Sequence, residues 1–262
     1  MDNASVIRIL VFLAIFIVMA TIEAWRPARQ SVLSRTVRWK GNLAMVILGA
    51  LISKLVLPAG LVGVAFWANS ETIGLFNTTD LPATFVLVAS VLILDMAIYW
   101  QHRWFHKIPV LWRIHKMHHA DSHVDTTTGL RFHPLEIVLS LAIKSVVVIT
   151  LGIPALAVVI FEVALNGFAL FNHANISLPQ RLDDKLGIFI ITQRLHRIHH
   201  SQLPEESNTN FGFSVSWWDR LFGSFKARAK AADKRIVIGQ KEYPPTPENA
   251  SIKALISMPF DK

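Results

Sequence analysis

Five of the chain's eleven histidines fall between His102 and His119, in the run HRWFHKIPVLWRIHKMHH. Its echo, RLHRIHH, ends at His200. On a helix His102 and His106 (i, i+4) share a face. His115, His118 and His119 (i, i+3, i+4) line one stripe, and so do His196, His199 and His200. Neutral imidazole is a common metal ligand, and helical pairs at this spacing aim several ligands at one point. A lone histidine on an apolar face is usually a satisfied core residue, but eight in three such boxes are more than one tetrahedral zinc can use. The spacing therefore predicts a two-metal site.

The helices that must position these boxes are unusually apolar. Of the 262 residues, 52% are hydrophobic and 17% charged, below the quarter or so of an ordinary soluble domain. The absence of cysteine excludes disulfides, thiolate-bound haem and cysteine-held iron–sulfur clusters from this chain. No G-x-G-x-x-G follows a strand-like run, so a redox enzyme of this sequence would draw its electrons from another protein. The net charge of +8 flanks apolar runs rather than forming a stripe interleaved with aromatics, which points to anionic headgroups and not to nucleic acid.

Apolar runs at 4–25, about 43–67, about 83–101, about 135–151 and 154–172 are each close to the length needed to cross a bilayer. Arg26, Arg29, Arg35, Arg38 and Lys40 follow the first run, predicting a retained anchor with its N-terminus outside. Lys54, inside the second run, is expected to snorkel or face the protein interior. The loop 68–82 lacks Lys and Arg, whereas Arg103, Lys107, Arg113, Lys116 and Arg131 crowd the segment after the third run. By that asymmetry every histidine falls on the inner side. Gly152-Ile153-Pro154 makes the last two runs a hairpin, either spanning or dipping in from the inner face. Helices lying on the inner surface are expected over 174–225, with the Trp- and Phe-rich 217–225 at the interface and a poorly ordered tail beyond Lys226. The expected class is an all-α integral membrane bundle of four to five embedded helices with a histidine-rich cytoplasmic cap, in a bacterial inner membrane or an ER-type membrane. Its expected division is anchor helices 1–82, catalytic region 83–225 and tail 226–262.

Outside the boxes, Asp95 shares a helical face with Tyr99, His102 and His106, so it is a candidate to accept the second ring N–H of a metal-bound imidazole. Glu162 and Asn166 stand on one stripe with His173 and make a weaker case of the same kind. Lys116 and Arg197, inside the boxes, are expected to face headgroups or a redox partner, and His123 to lie on the surface.

The ordered set H-x3-H (102–106), H-x2-H-H (115–119), TGLRFHPLE (128–136), FNHAN (171–175), H-x2-H-H (196–200) and WDRLFGSF (218–225) resembles the fatty acid hydroxylase/sterol desaturase superfamily over about residues 90–225. The resemblance implies a membrane enzyme with a nominally di-iron centre, although zinc can occupy imidazole sites on purification. Such an enzyme uses O2 and electrons from a reductase or small redox protein to hydroxylate or desaturate a lipid. It also implies that His173 is a ninth ligand, that His133 binds metal or supports a ligand, and that Asp125, Arg131 and Glu136 form a supporting network. Asn175 and Asp219 are equally readable as caps. Two other classes stay open on the residues alone: a two-zinc hydrolase, although no H-E-x-x-H glutamate is present, and a non-catalytic metal transporter or sensor.

Overall fold

The computed structural model describes residues 3–261. It is all-helical, with no strand among the described residues. In chain order the helices are α1 (Asn3–Trp25), α2 (Arg35–Val56), α3 (Gly60–Ser70), α4 (Ala83–Lys107), α5 (Pro109–His119), α6 (Pro134–Leu151), α7 (Ala155–His173), α8 (Gln180–Leu186), α9 (Gln193–His199), α10 (Pro204–Ser207), α11 (Trp217–Leu221) and α12 (Ile252–Ser257). Five segments are long and apolar enough to cross a membrane: α1, α2 with α3, α4, α6 and α7. Exposed side chains such as Leu13 and Ile17 on α1, Leu51 on α2 and Val146 on α6 form the apolar exterior that hydrocarbon, not water, accommodates.

Local chemistry sets the breaks. Pro58 ends α2, and α3 restarts at Gly60 with φ +63°, so the single run expected at about 43–67 is two helices. Lys54 reaches the Pro58 carbonyl at that break and stays exposed. Between α4 and α5 only Ile108 intervenes. Pro109 denies it the helical region, it sits extended at φ −99°, ψ 117°, and the chain reverses there. Gly152, at φ +67°, turns α6 into α7. A Cβ on Gly74 would come within 2.1 Å of the Gly152 amide nitrogen. The tip of the α6–α7 hairpin therefore meets the loop just before α4. Leu61, Ala65, Leu94, Val148, Ala157 and Phe161 fill the core among α3, α4, α6 and α7.

The histidine-bearing end is tied together by buried charge. Arg38 of α2, one of the basic residues that follow the first apolar run, is 2% exposed. Its guanidinium donates to both carboxylate oxygens of Asp121 (2.9 and 2.8 Å) and also binds Asp125. Asn42 adds bonds to Asp121 and Thr127, and Arg131 donates to Asn42 and to the Met117 carbonyl. Burial alone would raise the Asp121 pKa, but the Arg38 and Arg131 guanidiniums hold it well below the usual carboxylate range. Glu23, at the end of α1, accepts from the Thr126 and Asn175 amides. His123, expected on the surface, is buried with Nε2 facing the Asn175 amide at 3.2 Å. Nor is 226–261 a loose tail: Ile236, Ile238, Leu255 and Met258 are buried, and Ala250 presses on Gly41 of α2. The expected position of the N-terminus itself lies outside the described residues.

Arg38→Met strands two buried carboxylates, an arrangement that costs on the order of 3–5 kcal/mol. Thermal unfolding in detergent should show a large loss of stability, and the variant should precipitate at a lower temperature than the parent chain.

Candidate metal centre

Nine histidines converge at one end of the bundle. They come from the last turns of α4 (His102, His106) and α7 (His173), from α5 (His115, His118, His119), and from α9 and its cap (His196, His199, His200). Their nitrogens form two groups, each with all candidate atoms within 4.8 Å of one another. The first is His102, His106, His115, His119 and His199; the second is His118, His173, His196 and His200. Each H-x2-H-H box is thus divided. In α5 the i and i+4 rings serve the first group and the i+3 ring the second; in α9 the assignment is reversed. The two groups adjoin, with the His119 and His200 rings stacked at 4.4 Å.

Most of these rings are oriented from behind. Nδ1 of His102 meets the Phe211 carbonyl (2.7 Å), His118 that of Arg131 (3.2 Å), His173 that of Ala169 (2.7 Å) and His199 that of Thr209 (2.8 Å). A carbonyl only accepts, so each of these Nδ1 atoms carries the proton, and Nε2 of the neutral ring is a bare lone pair. His118 and His173 then point bare nitrogens at each other across 3.2 Å, with Nε2 of His196 2.8 Å from that of His173. Nε2 of His102, His115 and His199 is buried with no hydrogen-bond partner among the described residues. Converging lone pairs repel unless a cation lies between them. Two nitrogens each about 2.1 Å from one ion, at angles between right and tetrahedral, stand roughly 3.0–3.4 Å apart. His106 and His119 in the first group (3.1 Å) and His118–His173 and His196–His200 in the second (both 3.2 Å) fall in that range, with His173–His196 slightly closer, so the donor set fits a metal ion in each group.

The site is also dry. Phe132 stacks on His118 at 4.6 Å, Phe211 and Phe213 pack on His102, and Trp112 covers His106 and His119. Burial and the neighbouring imidazoles hold His118, His119, His196 and His200 well below the usual histidine range, and burial pushes His199 down to about 3. Beneath the cluster, between α1, α2, α4, α6 and α7, lies a largely apolar cavity of about 310 Å³ reached by His102, Glu136, Phe132 and Phe213.

This arrangement belongs to a known family. The fatty acid hydroxylase model matches residues 87–224, just over half of the chain. The chain belongs to the fatty acid hydroxylase family. It is 32% identical over 145 residues to an ornithine lipid hydroxylase of Rhizobium tropici, covering 55% of this chain and 43% of that protein. To alkylglycerol monooxygenases it is 26% identical in Homo sapiens (174 residues, 66% of this chain and 36% of the relative) and 29% in Danio rerio (142 residues, 54% and 30%). The chain therefore spans less than half the length of these curated relatives. No solved structure gives a significant match.

Not every candidate from the sequence joins the cluster of this fatty acid hydroxylase family member. His133 stands apart as the N-cap of α6: its Nδ1 accepts from the Leu135 amide and its Nε2 lies 3.3 Å from the Ile256 carbonyl. Asp95 touches no imidazole but accepts from Trp218 Nε1 at 2.8 Å, holding α11 against the bundle. Glu162 pairs with Arg8 of α1, and the Asn166 amide bonds back to the Glu162 carbonyl. Helical phase put Asp95, Glu162 and Asn166 on the right stripe, but they are separated from the rings by about two to three turns. The carboxylate against an imidazole is Glu136, 2.9 Å from His115 Nδ1. Asp219 is a brace rather than a helix cap. It accepts from the Phe211 and Gly212 amides, both at 2.8 Å, and so fixes the carbonyl that holds His102. Arg197 is not aimed at headgroups but bonded to Asp233. Asp121 and Glu23 escaped the sequence reading because their partners lie far away in the chain.

With folded pKa values depressed, His118, His119, His196, His199 and His200 refuse protons that the unfolded chain takes up below about 6.5. Stability of the metal-depleted protein should therefore be full above that pH and fall as the pH drops through it, steeply because several rings titrate together. Unfolding midpoints between pH 7.5 and 5 check this, and a flat profile over that window contradicts neutral buried rings.

Proposed function

We propose that the chain is a membrane-bound di-iron oxygenase that hydroxylates or desaturates a lipid, with O2 as co-substrate and electrons from a separate reductase or small redox protein. The observation that carries the reading is the pair of imidazole groups with facing lone pairs at the mouth of an apolar cavity. Hydroxylase and monooxygenase relatives favour hydroxylation of the two outcomes. In this reading His102, His106, His115, His119 and His199 hold one ion, and His118, His173, His196 and His200 the other. Iron held there supplies O2 activation and the oxidising power for a C–H bond; neutral imidazoles suit it without excluding zinc.

The chain's own groups do the remaining work. Backbone carbonyls fix His102, His118, His173 and His199 as Nδ1–H tautomers, so their donors are aimed before any metal arrives. Glu136 accepts the His115 Nδ1 proton and makes that ring a stronger donor. Phe132, Phe211, Phe213 and Trp112 keep water from the centre, while the cavity aligns an acyl chain from the bilayer. Arg35, Lys40, Arg103, Lys107 and Arg113 gather at this end of the bundle, which supports a cytoplasmic face for the cluster in an inner-membrane or ER-type setting. We assign the catalytic work to 83–225 and the anchoring to 1–82, with 226–262 covering the cap.

Anaerobically purified protein should contain two irons per chain and, given reductant, O2 and membrane lipid extract, yield an oxygenated or desaturated lipid in a single turnover. Two zincs with a hydrolysed ester overturn the reading. His118→Ala and His199→Ala each remove a donor from a different group, so each should lower iron content and cut turnover at least about a hundredfold while the protein still inserts. Glu136→Gln should keep most of the metal and slow turnover by about 10–100-fold.

A further inference from the structure

The cavity beneath the cluster is not uniformly apolar. Glu136, Ser140 and Lys144 recur every fourth residue along one face of α6, and all three line it; Ser53 of α2 and Asn166 of α7 face the same space. Lys144 lies well inside a membrane-spanning helix, where an ammonium is costly unless it meets a partner. Neither Lys144, Ser140 nor Ser53 has a side-chain hydrogen bond to another described residue. The carboxylate whose field reaches Lys144 is Glu162, but Glu162 already forms an ion pair with Arg8. Arg8 and Lys144 thus share the single carboxylate of Glu162 at this end of the cavity, while Glu136, about two turns along α6, is engaged by His115, so the Lys144 ammonium faces the cavity without a carboxylate of its own.

We propose that this cavity binds an amphiphile through an anionic group, a carboxylate or a phosphate, held by Lys144 with Ser140 and Ser53, its chain running toward the histidines. Eight residues of α6 separate Lys144 from Glu136, about 12 Å at 1.5 Å per residue. The anchor therefore fixes which stretch of chain reaches the cluster: Lys144 positions and selects the lipid without touching the reacting atoms. In naming the ligand a substrate, the inference rests on the oxygenase reading above; the anion site itself is testable by binding alone.

The test is equilibrium binding of radiolabelled palmitate and lysophosphatidate to the purified full chain in uncharged detergent, each against its neutral counterpart, methyl palmitate and monoacylglycerol. At least one anion should bind about tenfold or more tightly than its neutral partner, as a charge-assisted hydrogen bond in a dry site requires. Preference for palmitate identifies a carboxylate lipid, and preference for lysophosphatidate a phosphate lipid. Lys144→Met should abolish the preference by losing affinity for the anion alone, and Lys144→Arg should retain it. Equal binding of charged and neutral probes by the parent chain overturns the proposal, whether or not the methionine variant folds, and so does a methionine variant that keeps the preference. Loss of the preference in a protein that still oxygenates lipid removes only the anchor. A clear preference in a protein that oxygenates nothing removes only the oxygenase reading.

Discussion

A neutral imidazole has one proton and one lone pair, and it donates to a metal only through the nitrogen that lacks the proton. Left to itself in a packed interior, a ring can satisfy its polar atoms by turning either nitrogen to a neighbour, and nine rings would settle into a mutual hydrogen-bond network. This chain blocks that outcome for His102, His118, His173 and His199 by giving Nδ1 a carbonyl that only accepts. The inward nitrogens then cannot satisfy one another. Folding concentrates lone pairs that repel, and the cost falls on every contact that keeps the rings in place.

Those contacts are long-range in sequence and short-range in space. Arg38 draws α2 onto the 121–128 loop, Glu23 draws α1 onto Thr126 and Asn175, and Asp219 locks the loop whose carbonyl orients His102. A one-residue joint at Ile108, enforced by Pro109, lets α5 fold back against the end of α4 so that two boxes close in sequence face each other. None of these features touches a candidate metal ion. Remove one, and the rings lose the tautomer or direction that makes them donors.

Much of this was legible in the sequence, and the division follows physical range. Helical periodicity is local, so the three boxes and the five apolar runs could be read directly. Periodicity also reports phase and not depth, which is why Asp95, Glu162 and Asn166 looked like neighbours of the rings and bind Trp218, Arg8 and a helix carbonyl instead. The single stripe inferred for each H-x2-H-H box concealed the division between two groups. Side chains at i+3 and i+4 on one stripe lean to opposite sides of it, and only the facing helix decides which centre each one meets. Charge counting grouped Arg38 with the basic residues that set orientation because a buried guanidinium and an exposed one are spelled alike, whereas the family resemblance had already put Arg131 in a supporting network; for Arg38 the signal was the acidic pair Asp121 and Asp125. Lys144 gave no pattern at all, since a lone lysine in an apolar run has meaning only once a cavity beside it is seen.

The position of the cluster at the end of the bundle follows from the same tautomer requirement. Within a spanning helix each backbone carbonyl is already engaged by the amide four residues on, as hydrocarbon demands. The acceptors for His102, His118 and His199 are the carbonyls of Phe211, Arg131 and Thr209, all in non-helical segments; His173 alone of the four shares a carbonyl, that of Ala169, within its own helix. Such free acceptors exist only where helices stop. A cluster built at mid-membrane would lack the carbonyls that hold its rings, and one built far out in the cap would lose contact with the cavity between α4, α6 and α7. The end of the bundle is where oriented imidazoles and this apolar space can share a wall, and His102 and Glu136 stand in that wall.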